Sequence, residues 1–211
     1  MMDSSDVGFE SAVRQGPAAG LKSCPESLCL EDLFGNPHPV EIDIGCGKGK
    51  FLLSRAEQEP GVNFLGVDRL AKWMKIGERR SWKRNLPNLK FMKVEVRELL
   101  EALRPGCVKT FHLYFPDPWP KRRHHKRRLV TSVFLTALFE RLQPGGRIEI
   151  ATDDRDYFQS IQKEIQKMDS VWEFVRESAN ERISFAGLST HYESKYRAAG
   201  KDLFYLELKK P

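Results

Sequence analysis

The chain has 211 residues, of which 40% are hydrophobic and 30% charged, and a formal net charge of +6. This size and composition predict one globular domain with its own core, plus at most an appendage, and exclude a wholly disordered chain. The longest apolar stretch, Leu129–Phe139, is shorter than the roughly 18–20 residues of a membrane helix, and no basic-then-apolar leader opens the chain.

The charge is uneven. Residues 1–39 hold six acids and two bases, a net of −4, so the other 172 residues carry +10. A basic body suggests a polyanionic partner. The four cysteines, Cys24, Cys29, Cys46 and Cys107, form no CxxC pair. Neither a disulfide framework nor a zinc site is expected, and a reducing cytoplasmic setting fits.

In chain order, residues 1–25 are rich in Ser, Gly, Ala and Pro and read as a mobile lead-in. Glu26–Phe34 reads as a short helix ended by Gly35-Asn36-Pro37. The expected division is a flexible or partly helical segment, 1–38, and a domain, 39–211. Val40–Ile44 reads as a strand, Gly45–Gly49 as a glycine loop, Lys50–Gln58 as a helix and Val62–Val67 as a strand. Leu70–Arg84 has helical composition. Leu89–Val94 is a strand, Arg97–Leu103 a short helix and Thr110–Phe115 a strong strand. Leu129–Leu142 is a helix stopping at Pro144-Gly145-Gly146. Arg147–Ala151 is a strand, Asp154–Met168 a helix, and Val171–Arg176 and Leu203–Leu208 two late strands. This alternation predicts an α/β fold, a mostly parallel sheet covered by helices on both faces. Ligands of such sheets bind beyond the carboxyl ends of the strands.

Two places there carry chemistry. The first is Asp43-Ile44-Gly45-Cys46-Gly47-Lys48-Gly49, between a strand and a helix. Glycines permit positive φ and let backbone amides approach a ligand. The spacing is GxGxG, and Lys50 stands where the dinucleotide fingerprint needs its third glycine. Asp43 is placed to accept a ligand ammonium. Asp68, 19 residues after Gly49, is placed to accept ribose hydroxyls. Singly, Asp43 reads equally as a loop cap and Asp68 as a helix cap. Together they favour a nucleoside ligand.

The stretch resembles the glycine motif of the class I S-adenosylmethionine-dependent methyltransferases. That resemblance implies a Rossmann-like, seven-stranded sheet and S-adenosylmethionine as cofactor. It also implies a place near the adenine for Glu95, which otherwise reads as an exposed strand-end charge.

The second place follows the fourth predicted strand. Phe115-Pro116-Asp117-Pro118-Trp119-Pro120 leads into Lys121-Arg122-Arg123-His124-His125-Lys126-Arg127-Arg128, six permanent cations in eight residues. The prolines stiffen the loop around Asp117. Trp119 offers either a stacking surface for a base or a packing surface. The cations suit phosphates, which give affinity without sequence information.

This block, with Thr152-Asp153 and Thr190-His191-Tyr192-Glu193, resembles the bacterial tRNA (guanine-N7-)-methyltransferase family, in order across residues 40–208. The resemblance implies methyl transfer to N7 of a tRNA guanosine, at variable-loop position 46. It implies that Asp43, Gly45, Gly47, Gly49, Asp68, Glu95 and Asp117 line the cofactor, with Asp117 also at the reaction centre. Lys121, Asp153, Thr190 and Glu193 would contact the target nucleotide, and Arg122, Arg123, Lys126, Arg127 and Arg128 the RNA backbone. The family often has Glu where this chain has Asp43, and Asp where it has Glu95. Thr190-x-x-Glu193 also reads as a capping box opening the helix Tyr192–Ala199, and Asp153 as the cap of the helix after it. His112 reads as a strand residue, and Trp73 and Trp82 as helix packing. The expected partner is tRNA, with no metal and no membrane, for a monomer or homodimer. The rival readings are methylation of another nitrogen, a non-catalytic RNA-binding protein and a nicotinamide oxidoreductase. The last is disfavoured by the missing third glycine.

Overall fold

The structure is a computed structural model that describes residues 26–168, 171–181 and 190–211. The lead-in at residues 1–25, with Cys24, lies outside the described residues.

Seven strands form one sheet: β1 (Val40–Ile44), β2 (Asn63–Asp68), β3 (Leu89–Lys93), β4 (Val108–Tyr114), β5 (Leu142–Thr152), β6 (Phe174–Ala179) and β7 (Phe204–Lys209). Their spatial order is β3-β2-β1-β4-β5-β7-β6. The first five run parallel, and β7 lies antiparallel between β5 and β6. The helices are α1 (Leu30–Phe34), α2 (Lys50–Gln58), α3 (Ala71–Lys83), α4 (Val96–Ala102), α5 (Ser132–Arg141), α6 (Arg155–Gln166) and α7 (His191–Ala198). This is the expected architecture.

Strand alternation divides the core. Val40, Ile42 and Ile44 of β1 join a cluster with Leu99 of α4, Leu135 and Leu138 of α5 and Ile161 of α6. Phe64 of β2 and Tyr114 of β4 join a second cluster with Phe51, Leu52 and Leu53 of α2 and Met74 of α3. The order reverses between β1 and β4, so the loops after these strands open side by side at the switch point.

Several boundaries move, each for a local reason. Leu28 forms a bridge to Leu103, and both Leu28 and Leu30 are buried in the core. The short helix therefore starts at Leu30, not at Glu26. Leu28 and Leu30, with Leu33 and Phe34 partly buried beside them, pack against the domain core. α5 starts at Ser132 because Thr131 Oγ1 accepts the Phe134 N–H at 3.2 Å. β5 begins at Leu142 and passes through Pro144-Gly145-Gly146 with a register shift opposite Val108 and Thr110. β6 starts at Phe174, three residues later than read, while Trp172 packs edge-on against Phe139, with ring centroids 5.1 Å apart.

Among the described residues, no helix is long and apolar enough to cross a membrane. No group of three or more His, Cys, Asp or Glu is placed to hold a metal ion.

Candidate active site

The glycine loop follows β1. Gly45 and Gly47 have φ of 81° and 53°, in the left-handed region that favours glycine. A Cβ at either would meet open space. Their backbone is therefore open to approach on that side. Gly49 differs, since a Cβ there would come within 2.6 Å of the Phe91 ring. The resemblance placed it on the cofactor, but here it lets the start of α2 close onto Phe91. Gly77 of α3 meets the same ring at 2.6 Å, a packing role that sequence spacing did not reveal.

Asp68 fastens this loop. Its Oδ2 accepts the Gly47 N–H at 3.1 Å and its Oδ1 the Leu70 N–H at 2.8 Å. Asp43 is the last but one residue of β1, is 5% exposed and stands in register with His112. Burial, with the Asp43 and Asp68 carboxylates nearby, pushes the Cys46 thiol up, so Cys46 is a neutral packing residue. Glu95 is half-buried, and its carboxylate accepts the Arg97 N–H at 2.8 Å, capping α4.

S-adenosylmethionine fits this end chemically. The open backbone at Gly45 and Gly47 leaves room for a ligand. The Asp43 carboxylate suits an ammonium, and the Asp68 carboxylate beside the loop suits ribose hydroxyls.

The loop after β4 sits next to it. Phe115 and Trp119, on either side of Asp117, have φ of 56° and 47°. Non-glycine residues adopt such values at a cost, and that cost clusters at functional loops. Asp117 is exposed and makes no hydrogen bond or ion pair among the described residues.

Arg128 holds the loop. The resemblance assigned it to RNA backbone, but it is 7% exposed. Its Nε donates to the Pro118 carbonyl at 2.9 Å, it pairs with Asp156, and it lies over the Tyr157 ring at 4.9 Å. A guanidinium so engaged is structural. The other cations behave differently. Residues Arg122–Arg127 form a 3-10 helix in which Arg122, Arg123, Lys126 and Arg127 are exposed, as is Lys121 before it. Trp119 is half-buried, with Arg127 over its ring at 4.9 Å and His124 at its edge.

α7 reaches both the start of α2, through Ser194, and the loop after β4, through Tyr196. Lys50 Nζ donates to Ser194 Oγ at 2.8 Å, tying α7 to the start of α2. Thr190 caps α7 by accepting the Glu193 N–H at 3.0 Å. Glu193, expected at the nucleotide, is 2% exposed. Its carboxylate accepts from Tyr205 at 2.8 Å and pairs with Arg197, so it anchors α7 to the sheet. Asp153 does not cap α6; Asp154 does, accepting the Tyr157 N–H at 2.8 Å. Asp153 instead pairs with Lys201.

Tyr196 was not singled out in the sequence. Its ring packs on Phe115 at 5.5 Å and lies parallel to Tyr192 at 6.1 Å. Burial and the Asp153 carboxylate push its phenol up, with Asp117 adding a smaller effect. The available signal was its spacing, four residues after Tyr192 on one helix face.

Within the sheet, β1, β4 and β5 carry a buried polar chain. His112 Nε2 lies 3.1 Å from Glu41, and its Nδ1 lies 3.0 Å from the Tyr114 hydroxyl. That hydroxyl donates to Glu149 at 2.5 Å, and Arg55 donates to both Glu41 oxygens. Burial alone would lower the His112 pKa, but the hydrogen bonds and charges of Glu149 and Glu41 outweigh it and raise it to about 9. Burial would raise Glu41, but His112, Arg55 and Lys109 outweigh it and hold it at about 2.

Comparison with known proteins agrees with this geometry. A family model described as "Putative methyltransferase" matches residues 37–206. The tRNA (guanine-N(7)-)-methyltransferase of Rubrobacter xylanophilus is 33% identical over 184 residues, covering 87% of this chain and 82% of that protein. The enzyme of the same name from Bacillus subtilis is 31% identical over 176 residues, covering 83% of each. The solved 16S rRNA (adenine(1408)-N(1))-methyltransferase of Catenulisporales acidiphilia, with cosubstrate SAM, covers 85% of this chain and 90% of its own, at 16% identity and a TM-score of 0.62. That last likeness concerns the fold, which is that of the class I methyltransferases. The glycine loop, the Asp117 loop and the two curated relatives converge: the chain belongs to the tRNA (guanine-N(7)-)-methyltransferase family.

Proposed function

We propose that this protein transfers the methyl group of S-adenosylmethionine to N7 of a guanosine in tRNA, at variable-loop position 46. The observation that carries the reading is Asp117, an exposed carboxylate on a strained loop at the switch point, beside the open glycine loop and an exposed cationic helix.

When bound, S-adenosylmethionine supplies an electrophilic methyl group. Guanine N7 has a lone pair and no proton, so no base is needed to activate it. The protein's task is to hold N7 in line with the methyl carbon. Positive charge grows on the purine during transfer, and the Asp117 carboxylate favours that charge. Asp43, Gly45, Gly47 and Asp68 position the cofactor, with Glu95 at its adenine side. Lys121, Asp153 and Thr190 border the target nucleotide, and Arg122, Arg123, Lys126 and Arg127 bind its flanking phosphates. The setting is cytoplasmic, and the protein works as a monomer or homodimer.

The test uses labelled S-adenosylmethionine with unmodified tRNA transcripts, then nucleoside digestion and chromatography. Label in 7-methylguanosine is expected, and its loss from a transcript lacking guanosine at position 46 locates the target. Label in another nucleoside would overturn the target.

A further inference from the structure

The basic block after β4 is not the only cationic surface. Residues 69–84 hold seven Lys or Arg against one acid, Glu78, a net charge equal to that of the whole chain. On α3, Lys72, Lys75, Arg79 and Lys83 recur at spacings of three or four and lie on one helix face. All four are exposed, as is Arg80, whereas Met74, Gly77 and Ser81 are buried on the opposite face. Lys75, Arg79, Arg80 and Lys83 form no ion pair among the described residues. Trp82, which the sequence suggested as packing, is 57% exposed in the same stripe.

A solvated helix face ordinarily mixes both signs. Here like charges follow one another at i,i+3 and i,i+4, which opposes the helix, and a large aromatic stands in water among them. Both features suit a polyanion with flat bases.

The topology fixes where this surface lies. α3 leaves the sheet after β2, and the 3-10 helix leaves it after β4. β1, which carries the glycine loop, lies between those two strands. The two cationic segments therefore straddle the cofactor loop. α3 runs from that edge for 13 residues, about 20 Å at 1.5 Å per residue.

We propose that the outer face of α3 is a second RNA-binding surface. It grips the sugar-phosphate backbone of the same tRNA away from the target guanosine, with Trp82 as a stacking platform. The proposal rests on the tRNA reading above. Lys72, Lys75, Arg79 and Lys83 neutralise phosphates and give affinity without reading sequence. Trp82 takes a base or a terminal pair on its face.

The test measures affinity of the full chain for an unmodified tRNA transcript across a salt series. The Arg79→Glu/Lys83→Glu variant is expected to bind at least tenfold more weakly. Its log-affinity against log-salt slope should be shallower by about 0.7–0.9 per lost phosphate contact. Trp82→Ala should lose about fivefold or more, and Trp82→Phe should retain binding. S-adenosylmethionine affinity by calorimetry and the thermal midpoint should match the parent chain, which separates the effect from misfolding. Unchanged affinity and slope in the double variant overturn the surface. A parent chain that binds cofactor but no tRNA overturns the substrate reading itself, and the parent measurement identifies that failure.

Discussion

Strand β4 carries two kinds of charge within a few residues. His112, inside it, is fully buried between Glu41 and Glu149 and stands under the Phe51 ring at 5.0 Å. Asp117, just past its end, is exposed and unpaired among the described residues. The first is held by partners on neighbouring strands and fixes how β1, β4 and β5 meet. The second is left open because the loop carrying it is held by other means: the prolines, the Arg128 clamp and the packing of Phe115 on Tyr196 and of Trp119 on His124. A charge fully satisfied by the protein has nothing left for a substrate. A charge held rigid but unsatisfied does.

Breaking the buried side should cost most in stability. Glu41→Ala leaves His112 and Arg55 without their shared carboxylate, and such a loss costs about 3–5 kcal/mol. Denaturant unfolding should show it directly. Breaking the open side should leave the fold intact. Asp117→Ala is expected to lower turnover by about 100-fold or more with an unchanged unfolding midpoint. Asp117→Asn then separates the charge from the shape. Near-normal turnover in Asp117→Ala would remove the carboxylate from the mechanism.

Arg128 sharpens the contrast, because its sequence places it with the exposed cations of the basic run and its environment does not. Arg128→Ala should cost about 1–3 kcal/mol, the value of a hydrogen-bonded charged group, and should reduce turnover through the loop. The salt slope of tRNA binding should stay as it was. Replacing Arg122, Arg123 and Arg127 by Ala should do the reverse, flattening the slope at constant stability.

The smallest effect is the pH dependence of the buried chain. His112 has its pKa raised from 6.5 to about 9. Its contribution is therefore complete below pH 6.5 and is lost as pH rises through 9. Glu41, lowered from 4.5 to about 2, contributes fully above 4.5 and loses that contribution as pH falls toward 2. Between pH 7 and 9 more than half of the His112 contribution is lost, so the unfolding midpoint should drift down. In His112→Gln that drift should vanish.

Much of the fold was legible because its signals are local. Val40–Ile44 and Lys50–Gln58 were read with the bounds the structure gives, since a β-branched run and a glycine loop are short-range features. The helix read from Leu129 starts later because Thr131 caps it, a signal outweighed by the apolar run Leu129-Val130. Pro144-Gly145-Gly146 was read as a stop, yet β5 passes through it, because pairing with β4 accommodates a bulge that local punctuation cannot foresee.

The sequence by itself determined the α/β alternation, the glycine loop with Asp43 and Asp68, and Asp117 beside a cationic run, because residue type and spacing suffice for these. Only the tertiary structure decided which charges are spent. Arg128 and Glu193 look like their exposed neighbours in the sequence and are buried anchors. Lys72, Lys75, Arg79 and Lys83 look like an ordinary helix face and are left open. Whether a charge is free depends on the partners that distant strands and helices bring to it, and those contacts lie dozens of residues away along the chain.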